Sequence, residues 1–212
     1  MLHADQVSVN GEAERNSGRQ VSDADQVLLH GQEVDTPSQR YLMLNKPEGY
    51  VCSHNEGDSP TVIGLIELPR TEKLSIAGRL DIDTTGLVLL SDDGQWCHRI
   101  TSPRHKLAKV YELRCADPID PKAPEKFARG IMLNNEKELT KPAELELLDA
   151  HRARVTLYEG RYHQVKRMFA ALGNRVVELH RESIGAINLD DALFSGEYRE
   201  LTQAEVQSIF NA

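Results

Sequence analysis

Residues 78–91 read GRLDIDTTGLVLLS, a polar loop that leads into an apolar strand. Residues 86–91 predict the strand because leucine and valine dominate them and turn-forming residues precede them. In the loop, Asp81 can serve as a nucleophile or a general base if a cation keeps its carboxylate ionised. The alternative is an aspartate that caps a turn, with the hydroxyls of Thr84 and Thr85 completing the hydrogen bonds.

Other segments extend this strand into a sheet. Several of them alternate apolar and polar residues, as half-exposed antiparallel strands do. The predicted strands are Tyr41–Lys46, Val110–Arg114, Ala143–Leu148, Arg154–Leu157 and Val176–Leu179.

Two helices are predicted between and after these strands. Val165–Leu172 has apolar residues at helical spacing and stops at Gly173. Thr202 and Glu205 form a capping box ahead of the second helix. Strands outnumber helices without a regular βα rhythm, so we expect an α+β fold with a mixed, mostly antiparallel sheet.

The first part of the chain differs from the rest. Gln6–Glu12 and Gln26–Gln32 each read as a short strand and turn. We therefore expect a small N-terminal domain at 1–36, a linker at 37–40 and a larger domain at 41–212.

Composition narrows the class of protein. A chain of 212 residues with 40% hydrophobic content can bury a substantial core. We expect a cytoplasmic protein, because the N-terminus lacks a signal-peptide pattern and no run reaches the ~18 apolar residues of a membrane span. The cysteines, Cys52, Cys97 and Cys115, are widely spaced and form no CxxC pair. This spacing predicts buried thiols and argues against a disulfide framework or a zinc site.

The chain has a net charge of −8, and its charged residues are unevenly distributed along the sequence. Basic residues cluster at 98–114 and 151–181, whereas the charged residues of 182–212 are mostly acidic. Such segregation fits contact with a polyanion, whose phosphates attract clustered Lys and Arg. Two ordinary solvated faces fit it equally well.

A second run, residues 159–169, carries further candidates. Lys166 lies at the edge of the apolar stripe of the predicted helix, from which it could reach a neighbouring loop. Its alternative is an ordinary surface lysine. Tyr111 is either a strand aromatic or a platform for a nucleobase. Arg79 would share a face with Asp81 in an extended segment and could touch a substrate phosphate or base.

The letters around Asp81 match three other short motifs. Residues 81–85 fit the DxDxT opening of magnesium-dependent phosphatases, the spacing from Asp81 to Asp92 imitates a calcium loop, and residues 83–86 faintly match an aspartic protease. Each motif lacks its structural context, so none of them is favoured.

Four motifs together resemble a known family. Residues 45–53, 78–86, 109–111 and 161–169 have the order and spacing of the RsuA-type pseudouridine synthases. The likeness runs from about Gln6 to the C-terminus. Within this group, residues 81–86, 92–96 and 98–105 look more like the small-subunit rRNA enzyme than its large-subunit relatives.

The resemblance implies roles for individual residues. Asp81 would be the nucleophile that attacks the uridine, and Lys166 would pair with Asp81. Tyr111 would stack on the uracil or assist its reaction. Arg79 would help to hold the nucleotide out of its stack, and the two basic stretches would form the RNA-facing cleft. The RNA-binding residues expected in addition are Arg104, Lys109, Arg161, Arg167 and Arg181.

The implied reaction breaks the glycosidic bond of an everted uridine, turns the uracil and rejoins it through carbon. It involves neither a redox step nor hydrolysis, so we expect no cofactor and no metal. The expected partner is small-subunit rRNA within an assembling ribonucleoprotein particle. The alternatives are a large-subunit rRNA pseudouridine synthase and a non-catalytic rRNA-binding or assembly factor.

The N-terminus departs from the family pattern. Members usually begin with a small RNA-binding domain of the alpha-L type, in which two helices precede short strands. Residues 1–36 match only the later part of that domain, so we expect a partial one.

Overall fold

The computed structural model describes residues 6–22, 25–33, 39–55, 57–102 and 104–211. The chain forms two compact units, Met1–Gln39 and Arg40–Ala212. Parts of the predicted domain at 1–36 and of the predicted linker at 37–40 lie outside the described residues.

The first unit contains a four-stranded antiparallel sheet in the order β2-β1-β3-β4. Its strands are β1 (Val7–Val9), β2 (Glu12–Ala13), β3 (Val27–Leu29) and β4 (Gln32–Glu33). The turns of its two hairpins are Asn10-Gly11 and His30-Gly31, and all four residues have positive φ. Two-residue turns of this kind match the twist of the flanking strands, which explains why these short segments pair.

The second unit is built on one large sheet in the order β13-β5-β7-β11-β8-β10-β9, with β6 beside β7 and β12 beside β11. The first strands in the chain are β5 (Tyr41–Lys46), β6 (Ser75–Ala77) and β7 (Thr85–Ser91). They are followed by β8 (Lys109–Cys115), β9 (Glu144–Leu147), β10 (Arg152–Leu157), β11 (Val176–Ile184), β12 (Ile187–Asn188) and β13 (Tyr198–Glu200). Among the described strands, only β7 and β11 pair in parallel. The prediction of a mixed, mostly antiparallel sheet is confirmed.

Gly86 allows β7 and β11 to meet. It has a φ of +100°, and a Cβ atom built on it would lie 2.4 Å from the carbonyl oxygen of Arg181. Only glycine tolerates both conditions. The junction also sets the position of Arg181, which faces Gly86 across the two strands.

Helices cover both faces of the central strands. They are α1 (Gly94–Thr101), α2 (Ala123–Arg129), α3 (Gln164–Ala171) and α4 (Gln203–Ser208), with 3-10 turns at Val62–Leu65 and Thr71–Lys73. Leu87 and Leu89 belong to the core beneath α1 and α4, whereas Val88 and Leu90 belong to the core beneath α2 and α3. Burial on both faces explains why β7 is a continuous apolar run and does not alternate.

Most sequence predictions of local structure are confirmed. Helix α3 and the capping box of Thr202 and Glu205 are present, and all three cysteines are buried free thiols. Helices α1 and α2 were not predicted, because both are short and carry several polar residues. Within the described ranges, no helix combines the length and the apolar character that a membrane crossing requires.

Candidate active site

A cavity of about 870 Å³ opens at one end of the large sheet. Its walls are the loop at 78–84 and the segment at 158–166 that enters α3. Its floor includes Tyr111, Leu179 and Arg181 from β8 and β11. The volume is in the range of sites that enclose small ligands.

Asp81 lies in this cavity at the start of a turn. The Thr84 N–H donates to the Asp81 carbonyl at 3.1 Å, and the carboxylate keeps 27% of its surface exposed. The hydroxyl of Thr84 is buried and finds no hydrogen-bond partner in the part of the chain that the structure describes. The hydroxyl of Thr85 lies 2.9 Å from Nδ1 of His180. Neither threonine hydroxyl therefore completes a cap on Asp81, although the Thr84 backbone contributes a hydrogen bond to the turn.

Two basic side chains surround the Asp81 carboxylate. Nζ of Lys166 lies 3.5 Å from Oδ2, and Nε2 of His163 lies 3.2 Å from Oδ1. Lys166 also donates to Oδ1 of Asp83 at a shorter distance. Partial burial opposes ionisation of Asp83, but the bond and charge of Lys166 outweigh it and lower the pKa of Asp83. The cluster thus favours the ionised form of Asp83 at the cavity wall.

Helix α3 places Lys166 by burying its other side. Val165, Met168 and Phe169 are buried, so Lys166 projects from the edge of the apolar stripe into the cavity. The helix begins after His163, which has a φ of +47°. Gln164 holds this entry because its side chain accepts from the Arg161 N–H and donates to Glu159, both at 2.8 Å.

A buried lysine holds the Asp81 turn from below. Lys46 is fully buried, and its Nζ donates to the carbonyls of Thr84 at 2.7 Å and Ile82 at 3.3 Å. The Gly49 N–H donates to the same Ile82 carbonyl at 2.8 Å. Burial lowers the pKa of Lys46. Its third partner is the Pro47 carbonyl at 3.0 Å. Two of the three carbonyls belong to the loop, so its role is to fix the backbone around Asp81.

Arg181 performs a similar task at the cavity floor. It is only 1% exposed, and its guanidinium donates at 2.8 Å to the carbonyls of Leu87 and Gly78 and at 3.4 Å to that of Arg79. Within the described ranges, no carboxylate forms an ion pair with it. The sequence predicts that Arg181 contacts RNA directly. Its burial favours a different role, which is to position the loop.

Tyr111 lies beside this guanidinium. Its ring is 9% exposed, Cζ of Arg181 lies 5.9 Å from the ring centroid, and its hydroxyl accepts from Nη1 of Arg181 at 3.5 Å. The ring lines the cavity, so it can face a nucleobase there.

The other predicted RNA-binding residues are placed differently from one another. Arg79, Lys109 and Arg161 line the cavity. Arg104 is exposed and does not line it. Arg161 and Arg167 are engaged within the protein: Arg161 donates to the carbonyls of Glu138 and Leu139, and Arg167 donates to those of Asn134 and Tyr162.

Lys109 has a pKa well below the usual value of a lysine. Burial and the nearby charge of Arg181 lower the pKa of Lys109 to about 8. Its ammonium therefore loses charge within reach of neutral pH.

Several arginines of the two basic stretches form ion pairs with glutamates. Arg114 pairs with Glu178, and Arg154 pairs with Glu182 and Glu146. Side chains alternate between the two faces along a strand, so Arg114 and Tyr111, three residues apart on β8, lie on opposite faces of the sheet. Arg114 and Arg152, which pairs with Glu112, line a second cavity that also contains Asp83, so the RNA-facing cleft formed by both stretches stays a prediction.

Sequence reasoning missed three residues of the site: Lys46, Asp83 and His163. Lys46 and His163 lie within the quoted motifs, and Asp83 lies two residues from Asp81, so position alone could have suggested them. The phosphatase motif at 81–85 lacks the parallel scaffold it needs, because among the described strands β7 pairs in parallel with β11 alone and antiparallel with β5 and β6.

Known proteins are similar to this chain in sequence and in fold. The model of the RNA pseudouridylate synthase family matches residues 40–171. A protein of Vibrio parahaemolyticus named ribosomal small subunit pseudouridine synthase A is 53% identical, with 100% of this chain and 91% of the relative covered. The protein of that name from Escherichia coli is 52% identical, with 98% and 90% covered. A crystal structure of a pseudouridylate synthase superposes with a TM-score of 0.79 at 49% identity and covers 98% of this chain and 90% of that one.

Proposed function

The chain belongs to the RNA pseudouridylate synthase family, and we propose that it converts a uridine of small-subunit ribosomal RNA to pseudouridine with Asp81 as the nucleophile. The observation that carries the proposal is the Asp81 carboxylate, partly exposed in the cavity with Nζ of Lys166 at 3.5 Å and Nε2 of His163 at 3.2 Å. Neighbours at these distances contact both carboxylate oxygens and fix the direction of the carboxylate.

The reaction is an isomerisation. The bond from the ribose C1′ to N1 of the uracil breaks, the uracil turns, and a bond from C1′ to C5 forms. C5 loses a proton and N1 gains one, so the reaction needs neither an oxidant nor a water molecule. To reach Asp81, the uridine must leave its stack and enter the cavity.

The protein's own residues prepare this step. Asp81 attacks the sugar or the base, Lys166 balances the carboxylate charge, and Tyr111 packs against the uracil. Asp83 accepts a hydrogen bond from Lys166, and this bond limits the positions that the lysine can adopt. Lys46 and Arg181 fix the loop carbonyls on either side of Asp81, so the carboxylate needs little reorganisation when the substrate binds.

The choice of substrate rests on the relatives. They are named as small-subunit enzymes and match nearly the whole chain, which favours small-subunit over large-subunit rRNA. We assign the strands of residues 6–33 to the later part of an alpha-L type RNA-binding domain. The substrate would be an assembling ribonucleoprotein particle in the cytoplasm.

The test supplies unmodified small-subunit rRNA, naked or bound to ribosomal proteins, and then maps pseudouridine. Large-subunit rRNA is the matched control. New pseudouridine at one small-subunit position supports the proposal. Modification of the large-subunit RNA alone, or RNA binding without any product, would overturn the proposed substrate or the proposed activity, respectively.

A further inference from the structure

Tyr162 presents an exposed aromatic ring at the rim of the cavity. It lines the cavity and keeps 75% of its surface exposed. One face of the ring stacks on His163, with centroids 3.7 Å apart and an interplanar angle of 23°. Because His163 covers that face and the residue remains so exposed, the opposite face is open to solvent.

The surroundings hold this ring in place. Nη1 of Arg167 donates to the Tyr162 carbonyl at 3.2 Å, and another nitrogen of the same guanidinium donates to the Asn134 carbonyl at 2.8 Å. His163 is anchored in turn, because its Nε2 lies 3.2 Å from Asp81. A ring fixed in this way loses little conformational freedom when it meets a partner.

We propose that the Tyr162–His163 stack is a platform for a nucleobase next to the everted uridine. This inference rests on the proposed function. His163 contacts both the Tyr162 ring and Asp81, so a single imidazole links the platform to the predicted nucleophile. When the uridine leaves its stack, its neighbour in the RNA loses a stacking partner, and the Tyr162 ring replaces it.

An RNA base fits this surface better than a protein side chain does. The platform is continuous with the cavity that would receive the uridine, and every base has a π-face that can stack on tyrosine. The platform therefore acts on a flanking nucleotide, which distinguishes it from Tyr111 at the cavity floor.

The test compares Tyr162→Ala and Tyr162→Phe with the parent protein, and Phe194→Ala serves as the control. Phe194 is an aromatic residue with 77% exposure that does not line the cavity. RNA fragments carry 2-aminopurine or an abasic site at each position flanking the uridine that the parent converts. Affinity, single-turnover rate at saturating enzyme, fluorescence and thermal unfolding are measured.

We expect Tyr162→Ala to bind the intact fragment about 5- to 150-fold more weakly, the range that corresponds to loss of one stacked base. Tyr162→Phe and Phe194→Ala should stay within about twofold of the parent, since stacking needs the ring and not the hydroxyl. The parent, but not Tyr162→Ala, should quench 2-aminopurine at one flanking position. An abasic site at that position should remove the difference in affinity between the two proteins.

Equal affinity of Tyr162→Ala and the parent would overturn the platform. So would an affinity loss that persists at full size with every abasic fragment, because Tyr162 would then contact something other than a flanking base. A loss of affinity accompanied by a lower unfolding temperature and no change in quenching would indicate a structural role instead and overturn it too. If the parent binds RNA but forms no pseudouridine, the proposed function fails, and the same fluorescence and affinity comparison, with flanking probes scanned along the bound fragment, still decides the platform.

Discussion

Replacement of Arg181 tests whether a buried cation positions the Asp81 loop. The informative substitutions are Arg181→Met, which keeps an unbranched side chain without charge, and Arg181→Lys, which keeps the charge. A lysine ammonium cannot reproduce the fork that reaches the carbonyls of Leu87 and Gly78, both at 2.8 Å. Arg175, which is exposed and does not line the cavity, provides the control Arg175→Met.

The size of the effect follows from the bonds that are lost. Arg181→Met removes the guanidinium donors from the carbonyls of Leu87, Gly78 and Arg79. The two bonds at 2.8 Å are lost at a cost of ~1–3 kcal/mol each. Relief of the buried, unpaired charge offsets part of this loss. We therefore expect a net decrease of about 1–3 kcal/mol in the free energy of unfolding. A displacement of Asp81 by ~1 Å would slow the chemical step by about 100-fold, or ~2.7 kcal/mol of activation free energy.

The assay measures three quantities for each variant: the single-turnover rate of pseudouridine formation at saturating enzyme, the Kd for RNA and the free energy of unfolding. For Arg181→Met we expect a rate reduced about 100-fold, and a Kd within about threefold of the parent, because the guanidinium is only 1% exposed. A Kd raised tenfold or more with an unchanged saturated rate would refute this reasoning. It would show that Arg181 contacts RNA directly.

Two further predictions concern pH. The pKa of Lys109 is about 8, so its positive charge is present below pH 8 and lost above it; RNA affinity should fall more steeply between pH 7 and 9 in the parent than in Lys109→Met, and equal slopes in binding titrations would contradict this. Hydrogen bonding to Arg199 lowers the pKa of Glu205 from 4.5 to about 2, so its contribution to stability is complete above pH 4.5 and is lost as the pH falls towards 2. Denaturant unfolding should therefore show Glu205→Gln less stable by about 1–3 kcal/mol at pH 7, with a difference that shrinks below pH 4.5; a difference independent of pH would exclude this carboxylate as its source.

The elements with a strong local pattern could be predicted from the sequence. The apolar run of β7, the stripe of α3 and the capping box of α4 each depend on a few neighbouring residues, and the structure contains all of them. Helix α1 was missed although Asp93 caps it by accepting from the N–H groups of Gln95 and Trp96. Its buried side packs against α4, far along the chain, so its local sequence carries little signal.

The destination of each arginine could not be predicted. Arg161 and Arg181 lie in basic stretches, yet their guanidinium groups donate to backbone carbonyls of the same chain. Arg154 pairs with glutamates of neighbouring strands. Whether a cation meets solvent, a carbonyl or a carboxylate depends on strand register and on distant loops, and a charge count contains neither.

The most direct test of the mechanism compares Asp81→Asn with Asp83→Asn. Both carboxylates contact the same Lys166 ammonium and lie two residues apart, so each substitution removes one charge from one cluster at nearly constant volume. The measurement is pseudouridine formed in a single turnover on small-subunit rRNA, with RNA affinity determined in parallel. We expect Asp81→Asn to bind RNA within about threefold of the parent and to form no detectable pseudouridine, whereas Asp83→Asn retains turnover within about tenfold. Turnover by Asp81→Asn at a rate close to that of the parent would contradict the assignment of Asp81 as the nucleophile.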